Sequence, residues 1–332
     1  MSESGITLGI VGFGFAGQLH AEVASAHPLV DRVFVTDNNQ KTLKLANSLG
    51  KTEPLASIDQ LLLNKPDVII TALPSALNRQ TVQRIVDSNH HPKALMIEKP
   101  VATTYLDALA IQEIISATSI TGVTALTGYY HPEFERARQL IQMGAIGEVR
   151  SIIEKIRLGG PNFPESYLQK IHGGIVNLTG IHGVSHNLFL TGHENWKVES
   201  SNLGFGAFQA DSPDSAEVEF SSGLIRASHK WIFTKQPTGS RPEDYCVEVN
   251  GTNGRSLKIY GFRGVVLGND EIRVNFHRDG DDLRERHKPG FRQELDALIA
   301  TTNGDRSPTP LSTGVKLQKI LHQVEQAARS RI

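Results

Sequence analysis

The sequence predicts two folded parts, an α/β domain on a parallel sheet followed by an α+β domain on a largely antiparallel one. Three observations carry this. The chain has 332 residues, which at about 100 to 200 residues per domain leaves room for a core in each of two domains. From Ile6 to about Leu126 short apolar runs alternate with helical patterns, the mark of a parallel sheet. After Tyr130 the texture changes, and from Glu148 onward stretches rich in β-formers dominate. The boundary is expected near 127–130, giving domains 1–127 and 128–332.

The first part has strand candidates at 6–11, 33–36, 68–73, 94–97 and 123–126, each bounded by Gly, Pro, Asn or Asp. Continuous apolar runs of this kind suit strands buried on both faces. Helices are expected between them at 15–26, 40–49, 78–88 and 105–117, with Gly50 placed to close the second. An amphipathic helix at 133–143 ends at Gly144 and opens the second part. Strands are expected at 149–157, 216–220, 224–231, 245–250, 256–260 and 271–276, interrupted by a helix at 175–190. Two helices, around 291–301 and 314–330, close the chain and are expected to pack on one face of the second sheet.

Composition excludes several function classes. Lys and Arg number 34 against 35 Asp and Glu, with no block of like charge, which disfavours broad nucleic-acid or anionic-membrane binding. The longest stretch without Asp, Glu, Lys or Arg, 171–193, is too rich in His, Gly and Thr to span a membrane. No export signal is visible at the N-terminus, so a cytoplasmic location is expected. The single Cys246 reads as packing and fits a reducing compartment.

Three motifs carry chemistry. Gly12-Phe13-Gly14-Phe15-Ala16-Gly17 follows the first strand and opens the first helix. There the first glycine permits a tight turn, the second lets backbone approach a pyrophosphate, and the third allows close helix packing. Asp37, 20 residues after Gly17, can accept hydrogen bonds from adenosine ribose hydroxyls and would repel a 2'-phosphate. NAD(H) is therefore favoured, with NADP(H) left open; Lys41 nearby is expected to be a solvent-facing lysine. The second motif, Glu98-Lys99-Pro100, ends the strand at 94–97, on the sheet edge where ligands bind in parallel α/β folds. A lysine there can orient a substrate hydroxyl or exchange its proton; a plain surface ion pair is the competing reading. The third is His172 to His186, where His182 and His186 share a helix face. No HExxH pattern is present and His193 follows Gly192, so no metal is expected, and an imidazole acting as acid or base is the functional reading.

Together these residues resemble the glucose-fructose oxidoreductase and inositol dehydrogenase family (Gfo/Idh/MocA) over nearly the whole chain. Gly12 to His20 is similar to its GxGxxGxxH, Ser57 to Leu62 to its short helix after the third strand, and Glu98-Lys99-Pro100 to its EKP signature. Gly144 to Val149, Gly251 to Gly254 and the closing segment from Pro310 follow its second half. The resemblance implies an N-terminal Rossmann domain for NAD(P) and a C-terminal open-faced sheet for substrate and oligomerisation, commonly as a homodimer or homotetramer. It implies Lys99 and His182 as catalytic residues. It implies Gly12, Phe13, Gly14, Phe15, Ala16, Asp37, Leu73, Pro74, Asn78, Glu98 and Lys99 as the cofactor set.

The sequence departs from the family along the same segments. Leu178 stands where the family helix carries Asp, Ser185 replaces a second Asp, His172 precedes the paired glycines, and Asn78 replaces a His. Tyr129, His131, Asn177 and His186 are the candidates to replace these polar groups at a substrate, and Phe163 and Tyr167 can cover an apolar or ring-shaped one. The expected function is NAD(H)-dependent hydride transfer to or from a sugar-like or other cyclic secondary alcohol or ketone. A catalytically silent cofactor- or sugar-binding regulator and an NAD-recycling enzyme that cleaves glycosides are the alternatives.

Overall fold

The computed structural model describes residues 5–160, 165–169, 171–206, 208, 211–238, 244–268, 272–275 and 282–329. They form two compact units, Met1–Thr127 with His287–Lys316 and Gly128–Arg286 with Leu317–Ile332. Phe163 and the side chain of Tyr167 lie outside the described residues.

The first unit is a parallel sheet in the order β3-β2-β1-β4-β5-β6. Its strands are β1 (Ile6–Val11), β2 (Val30–Thr36), β3 (Thr52–Leu55), β4 (Val68–Thr71), β5 (Ala94–Glu98) and β6 (Thr121–Ala125). The helices between them are α1 (Phe15–Ser25), α2 (Gln40–Leu43), α3 (Ile58–Leu63), α4 (Asn78–Val86) and α5 (Tyr105–Ser116). The expected helix at 40–49 is shorter: α2 gives way to a 3-10 turn over Lys44–Ser48, and Leu49, in extended backbone, ends it. Gly50 does not take the left-handed conformation of a cap. The strand that sequence reading missed, β3, contains Pro54; it lies at the edge of the sheet, where a residue without an N–H is tolerated.

The assignment of all of 128–332 to a second domain requires correction. His287–Lys316 belong to the first unit. From α8 (Leu283–Thr301), Phe291, Leu295, Leu298 and Ile299 enter one core of the parallel sheet beside Leu8, Ile10 and Met96. From α9 (Leu311–Arg329), Leu311 and Val315 enter the other beside Ile97 and Ile111. Burial of each such side chain contributes roughly 1.5 to 3 kcal/mol, which outweighs proximity in sequence as the reason for where the segment packs.

The second unit is built on a sheet in the order β14-β13-β12-β11-β7-β10-β9-β8. The strands are β7 (Val149–Gly159), β8 (Lys197–Gly204), β9 (Ser215–Ser222), β10 (Ile225–Thr234), β11 (Tyr245–Gly251), β12 (Ser256–Tyr260), β13 (Gly264–Leu267) and β14 (Ile272–Asn275). It is antiparallel except where β10 runs parallel to β7. Sequence reading missed β8, a Ser- and Asn-bearing edge strand, and β13, only 4 residues long. α6 (Pro132–Gln142) ends as expected, with Gly144 and Gly147 both at positive φ. The expected helix at 175–190 is two elements: a π-helical turn over Val176–Gly180, then α7 (Ile181–Thr191).

Candidate functional site

In the first unit the glycine-rich turn is built as its residue types demand. Gly12 has φ +97°, and a Cβ there would lie 2.4 Å from the Ala72 carbonyl oxygen. A Cβ on Gly17 would lie 2.1 Å from the Gly12 carbonyl oxygen, so the third glycine lets α1 close on the turn. Around Gly14 a Cβ would meet nothing within 4 Å. That space adjoins the N-terminus of α1, whose first-turn N–H groups have no side-chain cap and no acidic residue among them. A positive helix end with no side-chain cap and no acidic residue fits a pyrophosphate. Asp37 holds the turn from the end of β2: Oδ2 accepts the Phe13 N–H at 2.6 Å and Oδ1 accepts the Asn39 N–H at 2.7 Å. Gly14 and Phe15 are exposed, and Ala16, Leu73 and Pro74 are half-buried beside them; Lys41 is exposed on α2.

The second motif is physically joined to the first. His20, three residues past Gly17, contacts Glu98 with its Nε2 2.9 Å from Oε1, and both are buried. The other Glu98 oxygen accepts the Lys99 N–H at 3.1 Å. Glu98 thus ties α1 to the end of β5 and sets the start of the loop that carries Lys99. Lys99 itself is half-buried, with no salt bridge to its Nζ among the described residues. Loss of hydration pulls its pKa below that of an ordinary lysine, while Glu98 and Glu294 pull the other way. A lysine with a lowered pKa at this edge is suited to proton exchange.

In the second unit, residues 174–190 are buried at every position but Leu178 and His182. The π-helical turn sets these two, four residues apart, on the single accessible stripe, and such turns recur at functional sites. Paired glycines at positive φ precede it, and a Cβ on Gly173 would lie 2.8 Å from Asn177. His172, half-buried beside them, has its pKa lowered by burial. Below the accessible stripe lies a buried network that sequence reading missed. Glu154 of β7 accepts from His186 Nδ1 at 2.7 Å, His229 Nδ1 at 3.1 Å and Trp231 Nε1 at 3.0 Å. The Tyr245 hydroxyl meets His186 Nε2 at 3.2 Å.

Several expected contacts are corrected by burial. His186 has no free surface: its ring is bonded to Glu154 and Tyr245 and stacked on Phe134 at 4.2 Å, so it supports the helix from within. Asn177 is also internal, donating to the Gly173 carbonyl at 3.1 Å and accepting from Gln318 Nε2 at 2.5 Å. His131 is fully buried against Phe262, 4.1 Å between ring centres. None of the three offers a surface to a substrate. Tyr129 is half-buried against Phe189 at 4.5 Å, and burial pushes its hydroxyl pKa up, so it is a neutral phenol. In the first unit the Phe13 side chain is in the core, which leaves only its backbone at the turn. Asn78 is buried and donates to the Val101 carbonyl at 3.0 Å, and Glu98 is internal as described, so neither side chain offers a surface to a ligand. Ser185 bonds back to the His182 carbonyl at 2.7 Å.

Among the described residues no three His, Cys, Asp or Glu side chains gather to hold a metal ion, and no helix is long and apolar enough to cross a membrane.

Residues 6–141 match the family described as "Oxidoreductase family, NAD-binding Rossmann fold". Over 96% of its length the chain is 26% identical to the 2,7-anhydro-N-acetylneuraminate hydratase of Escherichia coli (strain K12), of which the match covers 86%. It is 26% identical to the inositol 2-dehydrogenase of Rhizobium meliloti (strain 1021), over 89% of this chain and 88% of that one. The fold superposes on a levoglucosan dehydrogenase in complex with NADH and levoglucosan with a TM-score of 0.81, at 18% identity over 99% of this chain and 98% of the other.

Proposed function

We propose that the chain is a member of the Gfo/Idh/MocA oxidoreductase family, whose NAD-binding Rossmann description matches residues 6–141, and that it moves a hydride between NAD(H) and a secondary alcohol or ketone on a sugar-like or cyclic substrate. The observation that carries this is the join between the two motifs. The turn shaped for a pyrophosphate and the lysine of lowered pKa are held as one piece by the His20–Glu98 contact. The relatives named for anhydrosugars and inositol support the substrate class.

Bound NAD(H) supplies the hydride acceptor or donor. Gly14, Phe15 and Ala16 would hold its pyrophosphate through backbone N–H groups, and Asp37 would hold the adenosine ribose. Leu73 and Pro74 offer apolar surface to the cofactor. Lys99 orients the substrate oxygen and gives or takes a hydrogen bond there. His182, the accessible imidazole of its helix, exchanges the proton with the substrate hydroxyl, and Tyr129 is a further neutral donor.

The test is absorbance at 340 nm with NAD⁺ or NADH and a panel of sugars, anhydrosugars, cyclitols and their ketones. Turnover is expected for at least one class. Lys99→Met and His182→Ala should each lower it by about 10²- to 10⁴-fold, and a loss within about threefold for both would remove them from the site. Asp37→Ala should weaken NADH more than NADPH; equal weakening would remove the ribose assignment.

A relative named as a hydratase favours a second reading, the NAD-recycling one: a reaction without net oxidation, in which nicotinamide ends each cycle as it began. Product detected by chromatography with no net change at 340 nm would select it.

A further inference from the structure

The helical turn that carries His182 rests on one buried carboxylate, that of Glu154, which is 1% exposed. Before His182, a Cβ on Gly180 would lie 2.7 Å from Cζ3 of Trp231. After it, a Cβ on Gly183 would lie 2.3 Å from Glu154 Oε1, 2.6 Å from His229 Nδ1 and 2.9 Å from Trp231 Nε1. Neither glycine has a positive φ, so the close approach of these groups, and not the backbone conformation, leaves no room for a side chain. Glu154 holds what both glycines rest on: Oε1 accepts from Trp231 Nε1 at 3.0 Å and from His229 Nδ1 at 3.1 Å. Its Oε2 accepts from His186 Nδ1 at 2.7 Å. His186 stands one turn after His182, with 6.4 Å between ring centres and 26° between ring planes. The Tyr245 hydroxyl meets the other nitrogen of His186 at 3.2 Å, and the Ser185 hydroxyl bonds to the His182 carbonyl at 2.7 Å.

Apolar side chains would seat a helix on this sheet without the cost of taking charge out of water. They would not fix its direction, whereas hydrogen bonds weaken steeply when misaligned, and those to a charged acceptor are the strong ones. We propose that Glu154 is a positioning residue for His182. It seats the α7 backbone at Gly183, the Trp231 indole under Gly180 and the His186 ring one turn on, and so fixes where the His182 imidazole stands toward a substrate hydroxyl. The carboxylate itself is covered by the helix and meets no substrate. Leu178, on the same accessible stripe as His182, has no polar atom with which to orient the imidazole; Glu154 does so from beneath. Such seating matters for rate, because a misplacement of about 1 Å can cost about 10²-fold.

The inference rests on the reading of His182 as the group that exchanges a proton with substrate, but its first test needs no turnover. Histidine carrying carbon-13 at Cε1 is followed by NMR, with the His182 signal assigned by its loss in His182→Gln. In wild type the His182 ring should be rigid, with an order parameter of about 0.85; a mobile ring overturns the proposal outright. Glu154→Gln keeps the size of the side chain but turns one acceptor oxygen into an N–H donor that faces other donors. It should lower the His182 value below about 0.6, while His131, fully buried in the same unit, stays rigid. Gly183→Ala, which pushes α7 off the same carboxylate, should do likewise. A His182 ring as rigid as in wild type in either variant, folded by circular dichroism, overturns the proposal. If neither folds, Tyr245→Phe, which frees only the second nitrogen of His186, should give a smaller drop, and no drop overturns it. With a substrate in hand, Glu154→Gln should lower kcat by about 10²-fold and leave KM and the Kd for NADH within about threefold. Rigidity lost in Glu154→Gln with full turnover in His182→Gln sinks the proton-exchange reading and leaves the seat. Turnover lost in His182→Gln with a rigid ring in Glu154→Gln sinks the seat alone.

Discussion

Glu154 and Glu294 are both buried glutamates on otherwise apolar faces, one in each unit, and their environments drive their pKa values in opposite directions. Burial by itself raises the pKa of either. At Glu154 the charge of His229 and the hydrogen bonds from His186 and His229 more than reverse this, and the carboxylate is held well below its ordinary range. Trp231 Nε1 adds a further bond. At Glu294 two hydrogen bonds and the charge of Lys99 do not reverse it, because Glu98 repels a second negative charge. Burial therefore does not by itself decide which way an acid shifts; the donors and the sign of neighbouring charge do.

The largest test of that contrast is Glu154→Ala. It leaves His186, His229 and Trp231 without their acceptor, and the expected loss is about 3 to 5 kcal/mol in urea unfolding at neutral pH. Because the Glu154 pKa is lowered in the folded state, its contribution is whole above the unfolded carboxyl value and shrinks as pH falls through the folded one. The gap to wild type should accordingly narrow below about pH 4.

Glu133 sharpens the comparison with the opposite sign. It is fully buried, and burial pushes its pKa up to about 7, against a hydrogen bond from its own N–H. Between the unfolded value and the folded one the native state binds the extra proton, so stability falls as pH rises across that window. Glu133→Gln should be more stable than wild type by about 2 to 3 kcal/mol at pH 8, at roughly 1.4 kcal/mol per pKa unit, with the gain disappearing near pH 4. A gain that does not change with pH would show that the carboxyl's ionisation is not its cause.

Smaller effects follow from the periphery of each site. Tyr245→Phe deletes only the hydroxyl on His186 and should cost about 1 kcal/mol; a cost as large as that of Glu154→Ala would mean the phenol, not the carboxylate, organises the network. Gly14→Ala should leave unfolding unchanged within about 0.5 kcal/mol, since a Cβ there meets no protein atom. It should weaken NADH all the same, as measured by fluorescence titration, and unchanged affinity would remove the turn from the cofactor site.

Much of this was legible in the chain. The strands at Ile6–Val11 and Ala94–Glu98, the glycine turn and the lysine motif all declare themselves within a few neighbouring residues. The missed strands lack such local signal, two because edges tolerate Pro, Ser and Asn and one because it is short. The buried acids did leave a trace that went unread. In β7, Glu154 alternates with buried Ile152 and Ile156, and in β10, His229 and Trp231 alternate with buried Ala227 and Phe233. Glu294 lies three residues after Phe291 and four before Leu298, on one helical face. A polar residue on an apolar period signals a buried partner, but the period does not say which.

By itself the sequence determined the class of each sheet, the place of the cofactor turn and the identity of the lysine at the strand end. These depend on backbone conformation and on contacts between near neighbours, which a local run of residue types specifies. Only the tertiary structure decided that 287–316 returns to the first sheet, that His182 is open while His186 is sealed, and that Glu98 is bound to His20. Each of those outcomes turns on which distant side chain supplies apolar surface, a donor or a charge, and that is settled when the chain packs.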